Sequence, residues 1–149
     1  MAEAPREMFV DAPLRDLAYE DGPLPIAYGQ TISQPYVVAA MLDAAQLKSS
    51  DRVLEIGVGS GYAAAVVSRI AACVYAIERH GDLARAAAAR LKALGYANIE
   101  VRAGDGTLGW SEMAPFDAII VSAAAPSIPP ALRDQLAIGG RLVAPVGPR

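Results

Sequence analysis

The sequence predicts an α/β fold, a doubly wound parallel sheet with helices on both faces, and three observations carry that prediction. Short apolar runs alternate with helical patterns from Arg52 onward, the order that right-handed βαβ crossovers produce. The run Asp117 to Val121 is nearly all apolar, as a strand covered on both faces must be. Val53-Leu54-Glu55-Ile56 breaks into Gly57-Val58-Gly59-Ser60-Gly61 before a helix opens at Tyr62. Glycine lacks a Cβ, so such a turn bends sharply and lets a ligand approach bare backbone. The helix beyond it presents free N–H groups.

Composition sets the bounds. A chain of 149 residues suits one domain with a real core. Hydrophobic residues make up 54% and the mean hydropathy is +0.29. Much of this is alanine, and no run approaches the roughly 18 to 20 apolar residues of a membrane span. Met1 to Glu7 is charged and shows no signal-peptide core, so a cytoplasmic protein is expected. The single Cys73 excludes an internal disulfide or a cysteine metal cluster and reads as a buried, inert thiol. Net charge is −3 with scattered basic residues, which argues against nucleic acid as the partner, since that affinity comes from clustered lysine and arginine. No metal is expected.

The elements follow in order. Residues 1–35 are irregular: Pro5, Pro13, Pro23, Pro25 and Pro35 each bias the preceding residue away from helix. Met8-Phe9-Val10 and Leu14 to Tyr19 offer short apolar contacts, so this segment is expected to cover the core rather than extend its sheet. From Pro35 to about Leu47, Val38, Met41, Leu42 and Ala45 recur at helical steps, and proline suits a first helical turn. Lys48 to Asp51 is a polar turn. Strand one is Arg52–Ile56, followed by a helix over 60–72. Strand two is Val74–Ile77, and a second helix over 82–94 stops at Gly95. Strand three is Ile99–Arg102, with period-2 alternation, and strand four is Asp117–Val121. A short helix follows Pro129-Pro130 to about Leu136, Gly139-Gly140 ends it, and strand five is Arg141–Ala144.

Ligands in such sheets bind beyond the carboxyl ends of the strands. That gathers four loops around one crevice: 57–61, 78–81, 104–106 and 122–127. Glu78 ends strand two about twenty residues past Gly57, where an acidic group grips the hydroxyls of a ribose. The dinucleotide fingerprint needs a small third residue, and that position is Tyr62, which argues against a pyrophosphate. Asp105, between Gly104 and Gly106, is by itself a plain turn. In register with the other loops it is placed to accept from the exocyclic amine of a purine. His80 reads as a solvated rim, Trp110 as packing, and Ser122 and Ser127 lack the partner a nucleophile requires.

Glu55 through Gly61, as E-x-G-x-G-x-G, resembles the glycine loop of S-adenosylmethionine-dependent methyltransferases. Gly29-Gln30-Thr31-Ile32-Ser33-Gln34-Pro35-Tyr36 reads as a helix entry capped by Ser33 or Thr31. The whole octet, however, resembles the hallmark of the protein-L-isoaspartate O-methyltransferase family. So do Pro5 to Val10, Ile77-Glu78-Arg79, Gly104-Asp105-Gly106 with Gly109-Trp110, Ala114 to Val121, Ala123 to Pro126, Ile128-Pro129, and Gly139 to Gly147. The likeness spans nearly the whole chain in order.

The resemblance implies a Rossmann-like sheet of strand order 3-2-1-4-5. It also implies methyl transfer from S-adenosyl-L-methionine to the α-carboxylate of L-isoaspartyl residues in damaged proteins, leaving S-adenosyl-L-homocysteine. Under it Ser33 is the active-site serine, and Gln30, Thr31 and Ile32 lie over cofactor and substrate. Glu55, Gly57 and Gly59, with Ser60 and Gly61, line the amino acid end of the cofactor. Glu78, with Arg79, meets the ribose, and Asp105 and Gly106 meet the adenine. A carboxylate acceptor is already deprotonated and a sulfonium already activated, so the chemistry needs neither base nor metal. What remains is alignment, worth roughly 7–11 kcal/mol. Ser33 is therefore read as a hydrogen-bonding positioner, with no triad partner in view.

Two departures stand out. Val58 and Ala63 occupy positions where the family has Thr and Gln. Family members also continue past strand five and carry a helix ahead of Pro5-Arg6-Glu7, so the chain is read as truncated, its strand-five edge inviting a homodimer. The alternatives are a non-catalytic cofactor-binding or interaction module, and a methyltransferase for another acceptor.

Overall fold

A computed structural model describes residues 4–20, 24–26, 31–32, 35–122 and 127–144. Two 3-10 turns, Arg6–Phe9 and Ala12–Leu17, lead into a short antiparallel pair, β1 (Leu24–Pro25) and β2 (Thr31–Ile32). Then come α1 (Pro35–Ala45), β3 (Arg52–Ile56), α2 (Tyr62–Ser68), β4 (Cys73–Glu78), α3 (Gly81–Ala93) and β5 (Ile99–Ala103). Two further 3-10 turns, Gly106–Leu108 and Ser111–Met113, precede β6 (Phe116–Val121), α4 (Pro130–Asp134) and β7 (Leu136–Val143).

The five long strands form one sheet of order β5-β4-β3-β6-β7, every neighbouring pair parallel. With Arg52–Ile56 counted as strand one, the relative order is the expected 3-2-1-4-5; counted over the whole chain the numbers shift by two. Two short strands come first, and two-residue strands carry no periodicity a sequence reading could detect. The central strand is β3, with β4 on one side and β6 on the other. The chain thus reverses its winding direction beside the carboxyl end of β3, where a ligand crevice opens in this class of sheet.

Alternation along β3 assigns its faces. Val53 packs with Ala45 of α1, Val67 of α2 and Ala87 of α3, whereas Leu54 packs with Trp110, Phe116 and Leu132 of α4. Helices therefore lie on both faces. Almost all of α2 is buried, from Tyr62 and Ala64 through Ser68, because alanine lets a helix lie close to a sheet.

Three boundaries differ from expectation. Helix α2 cannot open at residue 60, since Gly61 has φ 97° and is non-helical. It ends at Ser68, whose Oγ donates back to the Ala65 carbonyl at 2.7 Å, a bond that competes with helix propagation. Gly139-Gly140 does not stop a helix: α4 ends at Asp134, and both glycines lie inside β7, which starts at Leu136 rather than Arg141. A Cβ on Gly140 would stand 2.8 Å from the Ala137 carbonyl oxygen and 3.1 Å from that of Asp117. The pairing of β6 with β7 shifts register between Phe116 and Ala118, and glycine in a strand marks such an irregularity.

The first turns sit against α2 and α3. Phe9 is fully buried, its ring 5.6 Å from that of Tyr62 and 6.5 Å from that of Tyr96. The buried Arg6 guanidinium lies 5.0 Å over the Tyr62 ring, and its Nε donates to the Ala18 carbonyl. At the opposite end Arg141 ties α1 to the sheet. Its Nε donates to the Ala45 carbonyl at 2.7 Å and its Nη2 pairs with Asp51 at 2.6 Å, occupying a carbonyl the helix end leaves open. Among the described residues no helix is long and apolar enough to cross a membrane.

Candidate functional site

The loop after β3 is shaped by its main chain. Gly57, Gly59 and Gly61 have φ values of 87°, 56° and 97°, a region that side chains other than glycine rarely enter. Gly57 N–H donates to the Ile77 carbonyl at 2.8 Å and Gly61 N–H to Val58 at 3.0 Å. Arg90 Nη1 reaches from α3 to the Ser60 carbonyl at 2.7 Å. A Cβ on Gly59 would meet Ile26 Cδ1 at 3.3 Å, so the segment next to β1 lies over the loop.

Glu78 turns into this loop. It is 5% exposed, and its two oxygens divide the work: Oε1 accepts Gly59 N–H at 3.0 Å, and Oε2 accepts His80 N–H at 3.0 Å. A carboxylate has about four acceptor sites, so each oxygen retains capacity for a hydroxyl. Arg79 is exposed at the rim, with Nε 3.4 Å from His80 Nε2.

Beneath the loop is a pocket of about 60 Å³, walled by Met41 and Leu42 of α1, Gly57 and Gly59, Ala63 of α2, and Ser122. Ligand sites of roughly 300–1,000 Å³ enclose whole small molecules, so this space matches one arm of a ligand. Glu55 is not among the pocket's lining residues. It is wholly buried, one hydrogen bond behind it: Ser122 Oγ donates to Glu55 Oε2 at 3.1 Å. Glu55 Oε1 has no hydrogen-bond partner among the described residues. Burial pushes this carboxyl up to about 8, the Ser122 bond opposing and the Glu78 charge adding to the rise, so at neutral pH it holds its proton.

On the other side of the crevice Asp105 is exposed. Its Oδ1 accepts both Thr107 N–H at 2.9 Å and Thr107 Oγ–H at 2.6 Å. These bonds hold the carboxyl below its ordinary value. Gly106 lies so close to β3 that a Cβ there would stand 2.4 Å from Ile56 Cγ2. Main-chain bonds knit the loops together: Gly104 N–H to the Glu78 carbonyl at 3.0 Å and Ser122 N–H to Ile56 at 2.8 Å.

The structure thus brings together Glu55, Gly57, Gly59, Ser60, Gly61 and Glu78, with Gly106 against the end of the same strand. Thr31 and Ile32 form β2. Gln30 and Ser33 lie outside the described residues, as do residues 123–126 of the fourth loop. Among the described residues no cluster of His, Cys, Asp and Glu could hold a metal ion. Sequence reasoning missed Ile26, Arg90 and the pairing of Ser122 with Glu55. Only Ser122 offered a signal, as the first residue past a strand at the winding reversal. Its partner is a buried acid rather than the base a nucleophile would need.

The family model for protein-L-isoaspartate(D-aspartate) O-methyltransferase matches residues 1–149. A protein-L-isoaspartate O-methyltransferase of Pelobacter propionicus is 65% identical over 147 residues, 99% of this chain and 65% of that protein. The chain therefore spans less than two thirds of that relative's length. A solved protein-L-isoaspartate O-methyltransferase superposes with a TM-score of 0.87 at 34% identity, covering 95% of this chain and 47% of its own. A Plasmodium falciparum structure in complex with S-adenosyl-L-homocysteine, assigned to the same activity, gives 0.82 at 27% identity, covering 97% and 73%. With every residue inside the family model and this degree of identity to a relative, the chain belongs to the protein-L-isoaspartate(D-aspartate) O-methyltransferase family.

Proposed function

We propose that the crevice binds S-adenosyl-L-methionine and that the protein methylates the free α-carboxylate of L-isoaspartyl residues in damaged proteins, releasing S-adenosyl-L-homocysteine. The observation that carries this is the meeting of Glu78 with the glycine loop, a buried carboxylate seated against bare main chain. The residues fit such a cofactor. Glu55 Oε1 has no hydrogen-bond partner among the described residues, and an amino acid ammonium beyond the Ser122 wall would draw this carboxyl toward its ionised, accepting form. The loop carries no lysine or arginine of its own, as expected for a ligand without phosphate. The bound cofactor would supply an activated methyl group.

The protein's own residues then have limited tasks. Gly57, Gly59, Ser60 and Gly61 hold the amino acid arm, with Glu55 behind them. Glu78 and Arg79 take the ribose, and Asp105 with Gly106 the adenine. Gln30, Thr31 and Ile32 cover the site and shut out water, and Ser33 orients the acceptor carboxylate by hydrogen bonding. No proton needs to move, because the acceptor is already ionised. Damaged proteins are the partners under this reading. A second copy would pair along β7, where Ile138 is fully exposed on a sheet edge. A single cysteine in the chain suits the reducing cytoplasm.

The test is incubation with labelled S-adenosylmethionine and an isoaspartyl peptide beside its aspartyl twin. Label on the isoaspartyl peptide alone supports the reading. Cofactor binding without transfer would mark a binding module, and label on neither peptide but on another acceptor a different methyltransferase. Ser33→Ala should lower turnover at least tenfold and leave the Kd for S-adenosylhomocysteine within about twofold; unchanged turnover would remove Ser33 from the reaction.

A further inference from the structure

The turn that carries Asp105 is held from behind by one side chain, Gln135, just past the end of α4. Gln135 Oε1 accepts Trp110 N–H at 2.8 Å, and its Nε2 donates to the Leu108 carbonyl at 3.0 Å. The amide therefore spans Gly109, and nothing larger than glycine fits beneath it: φ there is +63°, and a Cβ would stand 2.2 Å from Gln135 Oε1. Leu108 N–H in turn donates to the Asp105 carbonyl at 3.2 Å, and Gly109 N–H to Gly106 at 3.1 Å. The grip on Leu108 and Trp110 thus passes in one step to the backbone of Asp105 and Gly106.

The brace is itself immobilised. Gln135 is 8% exposed, its carbonyl accepts Phe116 N–H at 2.8 Å, and its N–H is shared between Ala131 at 3.2 Å and Leu132 at 3.3 Å. Arg102 supports the same turn from β5, stacked 4.2 Å over Trp110. Asp105, by contrast, is exposed and is capped by Thr107 of its own turn. A primary amide offers a donor and an acceptor side by side from one planar group. A carboxylate would set a lone pair against the Leu108 carbonyl, and a thioether would leave a buried N–H and a carbonyl unpaired.

We propose that Gln135 is a positioning residue for the purine end of the crevice: it fixes, across Gly109, the turn from which Asp105 and Gly106 recognise an adenine. This rests on the reading of the crevice as an S-adenosyl site. The test compares the affinities of S-adenosylhomocysteine and its deaminated analogue S-inosylhomocysteine, which has a carbonyl in place of the exocyclic amine. Calorimetry on wild type, Gln135→Met and the isosteric Gln135→Glu gives the ratio of the two Kd values. In wild type the adenine ligand should bind at least tenfold tighter. In both variants the ratio should fall toward one, chiefly by weaker binding of the adenine ligand. A purely structural role would lower Tm and leave the ratio of the folded protein intact, and that result overturns the proposal. If Gln135→Met does not fold, the same ratio is read from Gln135→Glu. Failure of wild type to bind S-adenosylhomocysteine would sink the cofactor reading and the proposal together, whereas tight wild-type binding with an unchanged ratio in the variants sinks the proposal alone.

Discussion

The two sides of the crevice are built by different means. On the glycine side the main chain makes the surface: three residues in the left-handed region, with the two buried acids Glu55 and Glu78 beside it. On the Asp105 side the surface is an exposed turn, kept in place by side chains from β5 and the end of α4. Their acids show the same contrast. Burial raises the Glu55 carboxyl, whereas local hydrogen bonds lower that of Asp105. A surface made of backbone tolerates little change at its own positions. A braced surface transmits change from residues that never touch the ligand.

The sharpest way to break this comparison is at the glycine side itself. Gly61→Val places a β-branched residue at φ 97°, with Leu91 side-chain atoms 3.3 Å from the new Cβ. Left-handed strain of roughly 1–2 kcal/mol and overpacking of roughly 1–3 kcal/mol add to about 3 kcal/mol lost, read as a lower urea midpoint. A loss below about 1 kcal/mol would mean that the loop yields, and that main chain is no stiffer here than side chains are opposite.

Glu55→Gln tests the buried acid beside that loop, with an effect of opposite sign. The unfolded carboxyl titrates near 4.5, whereas the folded one keeps its proton until about 8. Between those values the folded state binds more protons, so stability falls as pH rises from 4.5 toward 8 and is flat below. The variant lacks this slope. It should match wild type near pH 4 and exceed it near pH 9 by roughly 5 kcal/mol. Parallel stability curves across that range would show that Glu55 carries no uncompensated charge.

These two residues also show what the sequence made legible. Gly57, Gly59, Gly61 and Glu78 were readable because strand, turn and acid recur at a short, fixed spacing imposed by the βαβ unit itself. The same holds for the alternating elements and the all-apolar β6. The brace at Gln135 was not readable: it acts on residues 25 and 27 positions away in the chain, and a glutamine at the end of a helix has no pattern to announce a partner. The Gly139-Gly140 pair was misread for a related reason. A glycine pair after a helical stretch is a stop signal locally, and only the close carbonyls of Ala137 and Asp117 show that it serves a strand. Ser122 and Glu55 lie 67 residues apart in sequence, and only the pairing of β3 with β6 joins them.

Glu78→Gln gives a smaller, ligand-specific effect. One amide oxygen can still accept from Gly59 or from His80, but the amide nitrogen then faces the other N–H. Toward a ribose hydroxyl the variant presents an NH₂ or a neutral amide oxygen in place of a charged acceptor, and losing that charge-assisted bond corresponds to about 2 kcal/mol, or about thirtyfold in Kd for S-adenosylhomocysteine. Calorimetry measures it, and a change below threefold would remove Glu78 from the ribose.

The smallest effect expected separates the two sides most cleanly. Asp105→Asn keeps an Oδ1 that can accept from Thr107 N–H and Oγ–H, so the turn should persist and Tm should stay within about 1 °C. The second carboxylate oxygen, however, becomes an NH₂ group. Toward the exocyclic amine of an adenine it then presents a donor instead of an acceptor, and Kd should rise about tenfold. Because the Asp105 carboxyl is held below its ordinary value of 3.8, it stays ionised through pH 5 to 8. The wild-type advantage over the variant should therefore be constant across that range. A plain turn residue would behave differently: the asparagine would cap as well as the aspartate, and Kd would not move. Constant Tm with a tenfold weaker Kd thus places the recognition of the purine on an exposed side chain, in contrast to the buried main chain opposite.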